Sequence, residues 1–238
     1  QRAGVEVLMG TACFTKADAL AVATAQGEET VVAPTIVVAT GSRPLSVPIP
    51  GLDGPDVLDS TAALALEELP PSICIIGGGA IGLEFASLFH ALGVEVTVVE
   101  MLPTLAPLMD RSIGSGLAWS LDRQGIAVRT GTRVTRIDHT SEGCVVAMEG
   151  PNGAESVTAS KVLASIGRAP NVENLGLEAL GIKPSRKGIQ VDNRMRTAIP
   201  GIYAIGDVAE EGPMLAHVAS AQGIVAVEDA LGHPAAMR

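Results

Sequence analysis

An α/β fold with a parallel sheet, accompanied by a smaller region that holds a β-meander, is the class this sequence predicts, and three observations carry it. The β-type run Ile73-Cys74-Ile75-Ile76 breaks directly into Gly77-Gly78-Gly79-Ala80-Ile81-Gly82. Apolar Ile81, Phe85, Leu88, Phe89 and Leu92 then recur at helical spacing as far as Gly93, which suits the left-handed backbone at a helix C-terminus. Val94, Val96 and Val98 alternate with Glu95 and Thr97 as a second strand, which ends at Glu100.

Strand, glycine turn, helix and strand in that order form a Rossmann-like dinucleotide-binding unit. Each glycine of the G-x-G-x-x-G spacing has its own task. Gly77 makes the tight turn, Gly79 lacks the Cβ that would hold a pyrophosphate off the helix N-terminus, and Gly82 lets helix and strand pack closely. The helix start offers free N–H groups and the positive end of the dipole to negative charge. Glu100 selects the cofactor. A carboxylate accepts hydrogen bonds from both ribose hydroxyls and repels a 2′-phosphate, so NAD is favoured over NADP. Met101, Leu102 and Pro103 supply no guanidinium fork for that phosphate. The competing account is a buried strand–helix–strand unit that ends in a solvated carboxylate.

The remaining elements follow in chain order. Residues 5–9, 19–24 and 30–39 are short alternating or apolar runs set apart by Gly4, Gly10 and Gly27, and are expected to form a small antiparallel meander. Residues 43–56 hold Pro44, Pro48, Pro50 and Pro55 with Gly51 and Gly54, so a connector is expected there. Asp59 or Ser60 caps a short helix through Leu66, which Pro70-Pro71 ends. Beyond Glu100 a helix is expected over 107–124, with Ile113, Leu117 and Leu121 on one face, Gly114 and Gly116 weakening it and Gly125 at its end. Strands are expected at 127–129, 133–138, 144–149, 156–159 and 162–166, with Ser141-Glu142-Gly143 making the middle pair a hairpin. After residues 167–171 the composition turns to polar loops, which marks a domain boundary.

A second constellation lies further on, where an apolar strand ends in Gly206-Asp207 and a helix follows from near Met214. A carboxylate after a glycine can accept a hydrogen bond from a polyol hydroxyl. The N–H groups near Leu215, Ala216 and His217 can meet a phosphate or the oxygen of an electron-poor ring. A plain Gly-Asp turn explains the same residues. Thr40-Gly41-Ser42 has the same status: strand, turn, exposed backbone donors. His217 suits a general base as readily as a backbone contact.

At 238 residues the chain can hold two domains with separate cores. Its 47% hydrophobic content suits buried parallel strands, yet Glu84 interrupts the longest apolar neighbourhood, so no membrane span is expected. A formal net charge of −10, with the 16 basic residues scattered, opposes nucleic acid and anionic membranes as partners. Cys13, Cys74 and Cys144 are far apart, two of them in strand-like runs, so neither a disulfide framework nor a metal site is expected and a reducing, cytoplasmic setting fits. Gln1 stands first, with no basic segment and apolar core of a secretion signal behind it, which reads as an excised piece.

With residues 39–44, 57–60, 76–84, 98–100, 167–171, 202–207 and 213–217 matching in one order, essentially the whole chain resembles the pyridine nucleotide-disulfide oxidoreductases, and within them the dihydrolipoamide dehydrogenases. The resemblance implies the C-terminal part of an FAD-binding domain over 1–45, a connector over 46–71, an NAD-binding domain over 72–168 and a central, flavin-lining domain over 169–238. It implies FAD contacts from Thr40, Gly41, Ser42, Asp207 and the backbone of Met214, Leu215, Ala216 and His217. NAD contacts are implied for Gly77, Gly78, Gly79, Ala80, Ile81, Gly82, Glu100, Val134 and Gly167. Glu84 matches the family glutamate near nicotinamide and flavin, and Arg168 is either a ligand contact or an ion-pair partner.

The family also has an earlier G-x-G-x-x-G, a Cys-x-x-x-x-Cys pair and a terminal interface domain with a His–Glu pair. Residues 1–71 match neither of the first two, Cys13 has no partner at that spacing, and His233 is a loop residue not expected to take the acid–base role. The chain therefore reads as an internal fragment, without catalytic residues of its own, of a homodimeric enzyme. In that enzyme dihydrolipoamide would reduce the cysteine pair and electrons would pass through FAD to NAD⁺. A stand-alone NAD-binding sensor is the alternative from another class. Glutathione-reductase-like and NADH-oxidase-like flavoenzymes are the nearer ones, the first disfavoured by Glu100 without nearby arginines and the second by residues 213–217.

Overall fold

Runs of β-branched residues interrupted by glycine and proline give many short strands and four helices in the computed structural model, which describes residues 4–237. Residues 1–3 and 238, the outer ends of the first and last expected segments, lie outside the described residues. The chain divides into two units, Gln1–Arg43 with Ala169–Arg238, and Pro44–Arg168. The first unit begins with β1 (Thr11–Lys16), β2 (Ala19–Thr24), β3 (Gly27–Val32) and β4 (Ile36–Val38), and β5 (Ser42–Pro44) leads out of it. The second unit contains β6 (Val57–Leu58), α1 (Ser60–Leu64), β7 (Ser72–Ile76), α2 (Ala80–Ala91), β8 (Glu95–Val99), α3 (Arg111–Gln124), β9 (Ala127–Arg129), β10 (Arg133–Thr140), β11 (Gly143–Gly150), β12 (Gly153–Ala159) and β13 (Lys161–Ala164). Through β14 (Arg168–Pro170) the chain returns to the first unit, which ends with β15 (Ile202–Ala204) and α4 (Ala216–Ala230).

The second unit is built on the expected parallel sheet, in the order β6-β13-β7-β8-β9. Side chains of a strand alternate between faces, and β7 uses both. Ile73 and Ile75 enter one core with Leu83, Phe85 and Phe89 of α2 and Leu121 of α3, while Cys74 and Ile76 enter another with Val134, Ile137, Val146 and Met148 of the antiparallel meander β10-β11-β12. Helices thus cover one face and the meander covers the other. Each fully buried Ile, Leu or Val here contributes roughly 1.5–3 kcal/mol. Because β8 and β9 are added on one side of β7 and the chain then crosses back to add β13 on the other, the carboxyl ends of β7 and β13 flank a topological switch point.

Several boundaries differ from the sequence expectation. The helix expected over 107–124 begins at Arg111, because the Ala106 N–H donates to the Gly78 carbonyl (2.8 Å) and Met109 N–H turns back to Ala106 (2.8 Å). Ile113, expected on its buried face, is exposed, whereas Leu117 and Leu121 pack inward. The proline-rich stretch is not a free connector: Ile49, Leu52 and Val57 pack against the meander-side core, and the Pro50 carbonyl accepts a hydrogen bond from Ile137 N–H at 2.9 Å. Asp59 does cap α1, its carboxylate accepting from Ala62 N–H at 2.8 Å.

In the first unit the meander is β1-β2-β3, and its first strand is Thr11–Lys16 rather than 5–9, where Val5, Val7 and Met9 are exposed and unpaired. The run expected over 30–39 is split at Pro34. Its second half, β4, leaves the meander and pairs in parallel with β15, Ile36 opposite Ile202. Phe14, Leu177, Ile189, Ile202 and Val208 form the core beneath them. On α4 the Asp229 carboxylate, 1% exposed, accepts from Arg196 Nε (2.5 Å), Arg196 Nη2 (2.6 Å) and the Tyr203 hydroxyl (2.9 Å).

Candidate functional site

The turn between β7 and α2 is held by contacts that no side chain larger than hydrogen would allow at three of its four glycines. Gly77 has φ +111°, and a Cβ there would lie 2.4 Å from the Ser165 carbonyl oxygen. A Cβ on Gly78 would lie 2.5 Å from Leu105 Cδ2 and 3.0 Å from Glu100 Cβ. On Gly82 it would lie 2.0 Å from the Gly77 carbonyl oxygen and 2.6 Å from Ser165 Oγ. Gly79 is different. Its backbone is extended, with φ −80° and ψ −177°, and nothing lies within 4 Å of the position a Cβ would take.

Gly79 is also the N-cap of α2, and no side chain caps the helix there. The N–H groups of Ala80, Ile81 and Gly82 precede the first intrahelical donor, Leu83 N–H, which bonds the Gly79 carbonyl at 3.0 Å. An open cradle over uncapped donors at the positive end of a twelve-residue helix is what a pyrophosphate needs.

Glu100 ends β8 beside this turn, but not as a sheet-edge carboxylate in water. It is 8% exposed; Oε2 accepts from Gly78 N–H at 2.6 Å and Oε1 from Leu102 N–H at 2.7 Å. The acid therefore braces the turn as well as standing where a ribose is expected, and each oxygen has a second lone pair for a hydroxyl donor. Ser165, after β13, completes the brace: its hydroxyl faces the carbonyls of Ile76 (3.0 Å) and Gly77 (3.1 Å). Neither the close packing of Gly78 nor the role of Ser165 was legible in the sequence, since the partners stand 22 and 88 residues apart.

The other residues expected near NAD fall as follows. Glu84 is exposed on the second turn of α2. The Val134 side chain is buried in the core with Ile76, Val99 and Met148, so a contact to NAD from this residue is one of its backbone. Gly167 has φ +122°, and its carbonyl accepts from Leu45 N–H at 3.0 Å.

The second constellation assembles in the first unit at the carboxyl ends of β4 and β15. Ser42 Oγ donates to Asp207 Oδ2 at 2.5 Å, joining the two segments across 165 residues of sequence. Thr40 Oγ1 donates to the Asn171 carbonyl (2.7 Å), while Asn171 Nδ2 and N–H donate to the carbonyls of Thr40 and Gly41 (both 2.9 Å). Gly41 and Gly206 both have positive φ, +69° and +70°. Gly206 N–H donates to Oε1 of Gln222, a buried α4 residue that sequence reasoning missed, at 2.7 Å. A Cβ on Gly206 would lie 3.3 Å from Ala219 Cβ, so the glycine lets α4 approach the Gly-Asp turn. The start of α4 carries no side-chain cap, and Met214, Leu215, Ala216 and His217 before and at it are exposed. Asp207 offers an acceptor to a hydroxyl donor, and the uncapped start of α4 offers N–H donors to phosphate or ring oxygens.

Cysteine chemistry is absent from both constellations among the described residues. Burial pushes the Cys74 thiol up to about 12, and burial likewise raises that of Cys144. No described helix is long and apolar enough to cross a membrane.

The family described as pyridine nucleotide-disulphide oxidoreductase matches residues 1–223. Dihydrolipoyl dehydrogenase of Thermus scotoductus is 44% identical over 209 residues, 86% of this chain and 45% of the relative. That of Halobacterium salinarum is 42% identical over 98% of this chain and 50% of the relative. Among solved structures, LpdA from Mycobacterium tuberculosis superposes with a TM-score of 0.88 at 31% identity, covering 99% of this chain and 52% of that one. The HOCl-induced flavoprotein disulfide reductase RclA from Escherichia coli does so at 0.86 and 31%, covering 98% and 52%. The chain thus spans about half the length of the curated relatives it matches. With this match over most of its length, the chain belongs to the pyridine nucleotide-disulphide oxidoreductase family, whose enzymes use FAD and NAD(H).

Proposed function

We propose that this chain is the nucleotide-handling part of a dihydrolipoamide dehydrogenase, binding NAD(H) on residues 77–82 and 100 and lining FAD with residues 40–42, 206–207 and 214–217. One observation carries the reading of the first site. Of the four glycines in the turn, Gly79 alone has no packing or backbone reason to be glycine, and its empty side-chain direction lies over uncapped helix donors. A dinucleotide phosphate supplies that reason.

When bound, NAD⁺ accepts a hydride and FAD relays electrons drawn from a dithiol. The N–H groups of residues 80–82 hold the pyrophosphate, Glu100 accepts from the adenosine ribose, and Glu84 stands further along α2 toward the nicotinamide. On the flavin side, Asp207 accepts from a hydroxyl of the ribityl chain, and the first N–H groups of α4 meet ring oxygen or phosphate. Gln222 and Ser42 hold Gly206 and Asp207 in place for this. The residues that handle sulfur and protons belong to the remainder of the enzyme, so this chain is expected to bind NAD without oxidising a dithiol.

Titration calorimetry with NADH and NADPH tests the first site: NADH binds more tightly, and equal affinities remove the argument from Glu100. Comparing NADH-dependent reduction of lipoamide and glutathione disulfide by the full-length protein tests the substrate. Faster turnover of lipoamide is expected, and a preference for glutathione disulfide rejects the assignment.

A further inference from the structure

Outside both constellations, the second unit gathers three metal-ligating side chains of different chemistry. Asp56 from the proline-rich stretch, His139 near the end of β10 and Cys144 near the start of β11 place one carboxylate oxygen, one ring nitrogen and one sulfur within 4.8 Å of one another. The sequence gives no spacing motif for them, because Asp56 stands 83 residues before His139.

The ring is fixed in the orientation a ligand requires. His139 Nε2 lies 2.8 Å from the Gly51 carbonyl oxygen, which can only accept, so Nε2 carries the proton and donates. Nδ1 of the neutral ring then carries a lone pair that accepts from Cys144 Sγ–H at 3.6 Å and lies 3.9 Å from Asp56 Oδ2. A ligating imidazole usually has its other N–H tied to a backbone carbonyl or carboxylate in this way, which fixes its tautomer and orientation toward a transition metal. Gly54 makes the tie possible, since a Cβ there would lie 1.9 Å from His139 Nε2. For metal bonds of about 2.0–2.3 Å, the edges of a tetrahedral N, O, S site are roughly 3.3–3.6 Å, so small side-chain shifts close this set around an ion. Lys161 Nζ donates to the other carboxylate oxygen, Oδ1, at 2.6 Å, which aims Oδ2 inward. Sulfur with imidazole and carboxylate favours a borderline ion over calcium or magnesium. His139 and Asp56 side chains are 26% and 27% exposed, which gives the ion an entry path to a sulfur that is itself buried.

We infer that Asp56, His139 and Cys144 form a zinc site with three protein ligands and one position for water, clipping the proline-rich stretch to the β10–β11 hairpin. On binding, the Cys144 S–H proton is released to solvent and the thiolate takes its place on the metal. The site is separate from the nucleotide chemistry and shares no residue with it.

Calorimetry with zinc chloride on the purified protein, before and after H139Q and D56N, tests the inference, with far-ultraviolet circular dichroism confirming that each variant is folded. Expected are one equivalent of zinc bound by the wild type, at least tenfold weaker binding in each variant, and a cobalt complex with a sulfur-to-cobalt charge-transfer band that C144S removes. C13S leaves binding and band unchanged. Absence of zinc binding, unaltered affinity in folded H139Q, or a cobalt complex without the sulfur band overturns the site.

Discussion

Substituting Gly79 by alanine separates what the turn needs in order to fold from what it needs in order to bind. The backbone there is extended, a conformation any residue adopts, and no atom lies within 4 Å of the new methyl group. Two effects on stability oppose each other. Alanine is a poorer N-cap than glycine by several tenths of a kcal/mol or more, and it lowers the entropy of the unfolded chain by about 0.4–1 kcal/mol. The net change is within about 1 kcal/mol, or roughly 2–4 °C in melting temperature for a chain of this size. The methyl group nevertheless occupies the approach to the uncapped donors of α2. Losing one charge-assisted hydrogen bond of about 1.5–3 kcal/mol weakens NADH binding roughly ten- to hundredfold. Gly82→Ala is the contrasting case. Its Cβ would lie 2.0 Å from a backbone oxygen that cannot rotate away, so a penalty of about 1–3 kcal/mol falls on folding and binding together. Thermal unfolding and calorimetry on both variants read the two quantities separately. Undiminished NADH affinity in a stably folded Gly79→Ala protein refutes the placement of the pyrophosphate.

Glu100→Gln sets an amide NH₂ against the N–H of Gly78 or Leu102, donor facing donor. A cost of about 1–3 kcal/mol and a melting temperature lower by several degrees are expected, and an unchanged melting temperature shows that the carboxylate does not brace the turn. Asp229 titrates at about 2, held down chiefly by its hydrogen bonds from Arg196, against an ordinary value of 3.8. A carboxyl lowered by folding stabilises above its unfolded value and loses that contribution as pH falls from about 4 to about 2. Urea unfolding across this window should show a steeper loss in the wild type than in Asp229→Asn, and parallel profiles contradict the linkage. Ellman's reagent should modify Cys13 in the native protein while sparing buried Cys74 and Cys144, with all three reacting in denaturant; rapid native labelling of Cys74 counts against the parallel-sheet core.

What was legible in the sequence was the part whose physics is local. The turn from β7 into α2 announces itself because consecutive residues must supply a strand, a reversal and an uncapped helix start, and glycine is the residue type that does so. The same holds for the alternation of β8, the αL stop at Gly125 and the Asp59 cap. Pairing over long separations left no such mark. Residues 5–9 look as much like a strand as residues 11–16, and only the register with β2 distinguishes them. Residues 36–38 join β15, more than 160 positions later, because Pro34 frees them from the meander. Ile49, Leu52 and Val57 lie between prolines that forbid regular structure without forbidding burial.

Both candidate nucleotide sites follow one physical plan, and it explains how a strongly acidic chain can hold polyanionic ligands. In each, parallel strands bring loop backbone to one edge, a glycine allows close approach, and a helix begins there without a side-chain cap. The formal charge of −10 is spread over the chain, and beyond about 8 Å at physiological ionic strength its repulsion is largely screened. Helix N–H donors act at hydrogen-bonding distance, where screening is ineffective. The carboxylates of both sites are held on their protein side: Glu100 is met by two backbone N–H groups, and Asp207 by the Ser42 hydroxyl. A carboxylate held by donors on its protein side keeps its charge and its remaining lone pairs, so it accepts from a ribose or ribityl hydroxyl and disfavours a phosphate placed directly against it. Selectivity for a sugar hydroxyl over a sugar phosphate then follows from the same acid that stabilises the turn, which is why fold and specificity at Glu100 should fail together.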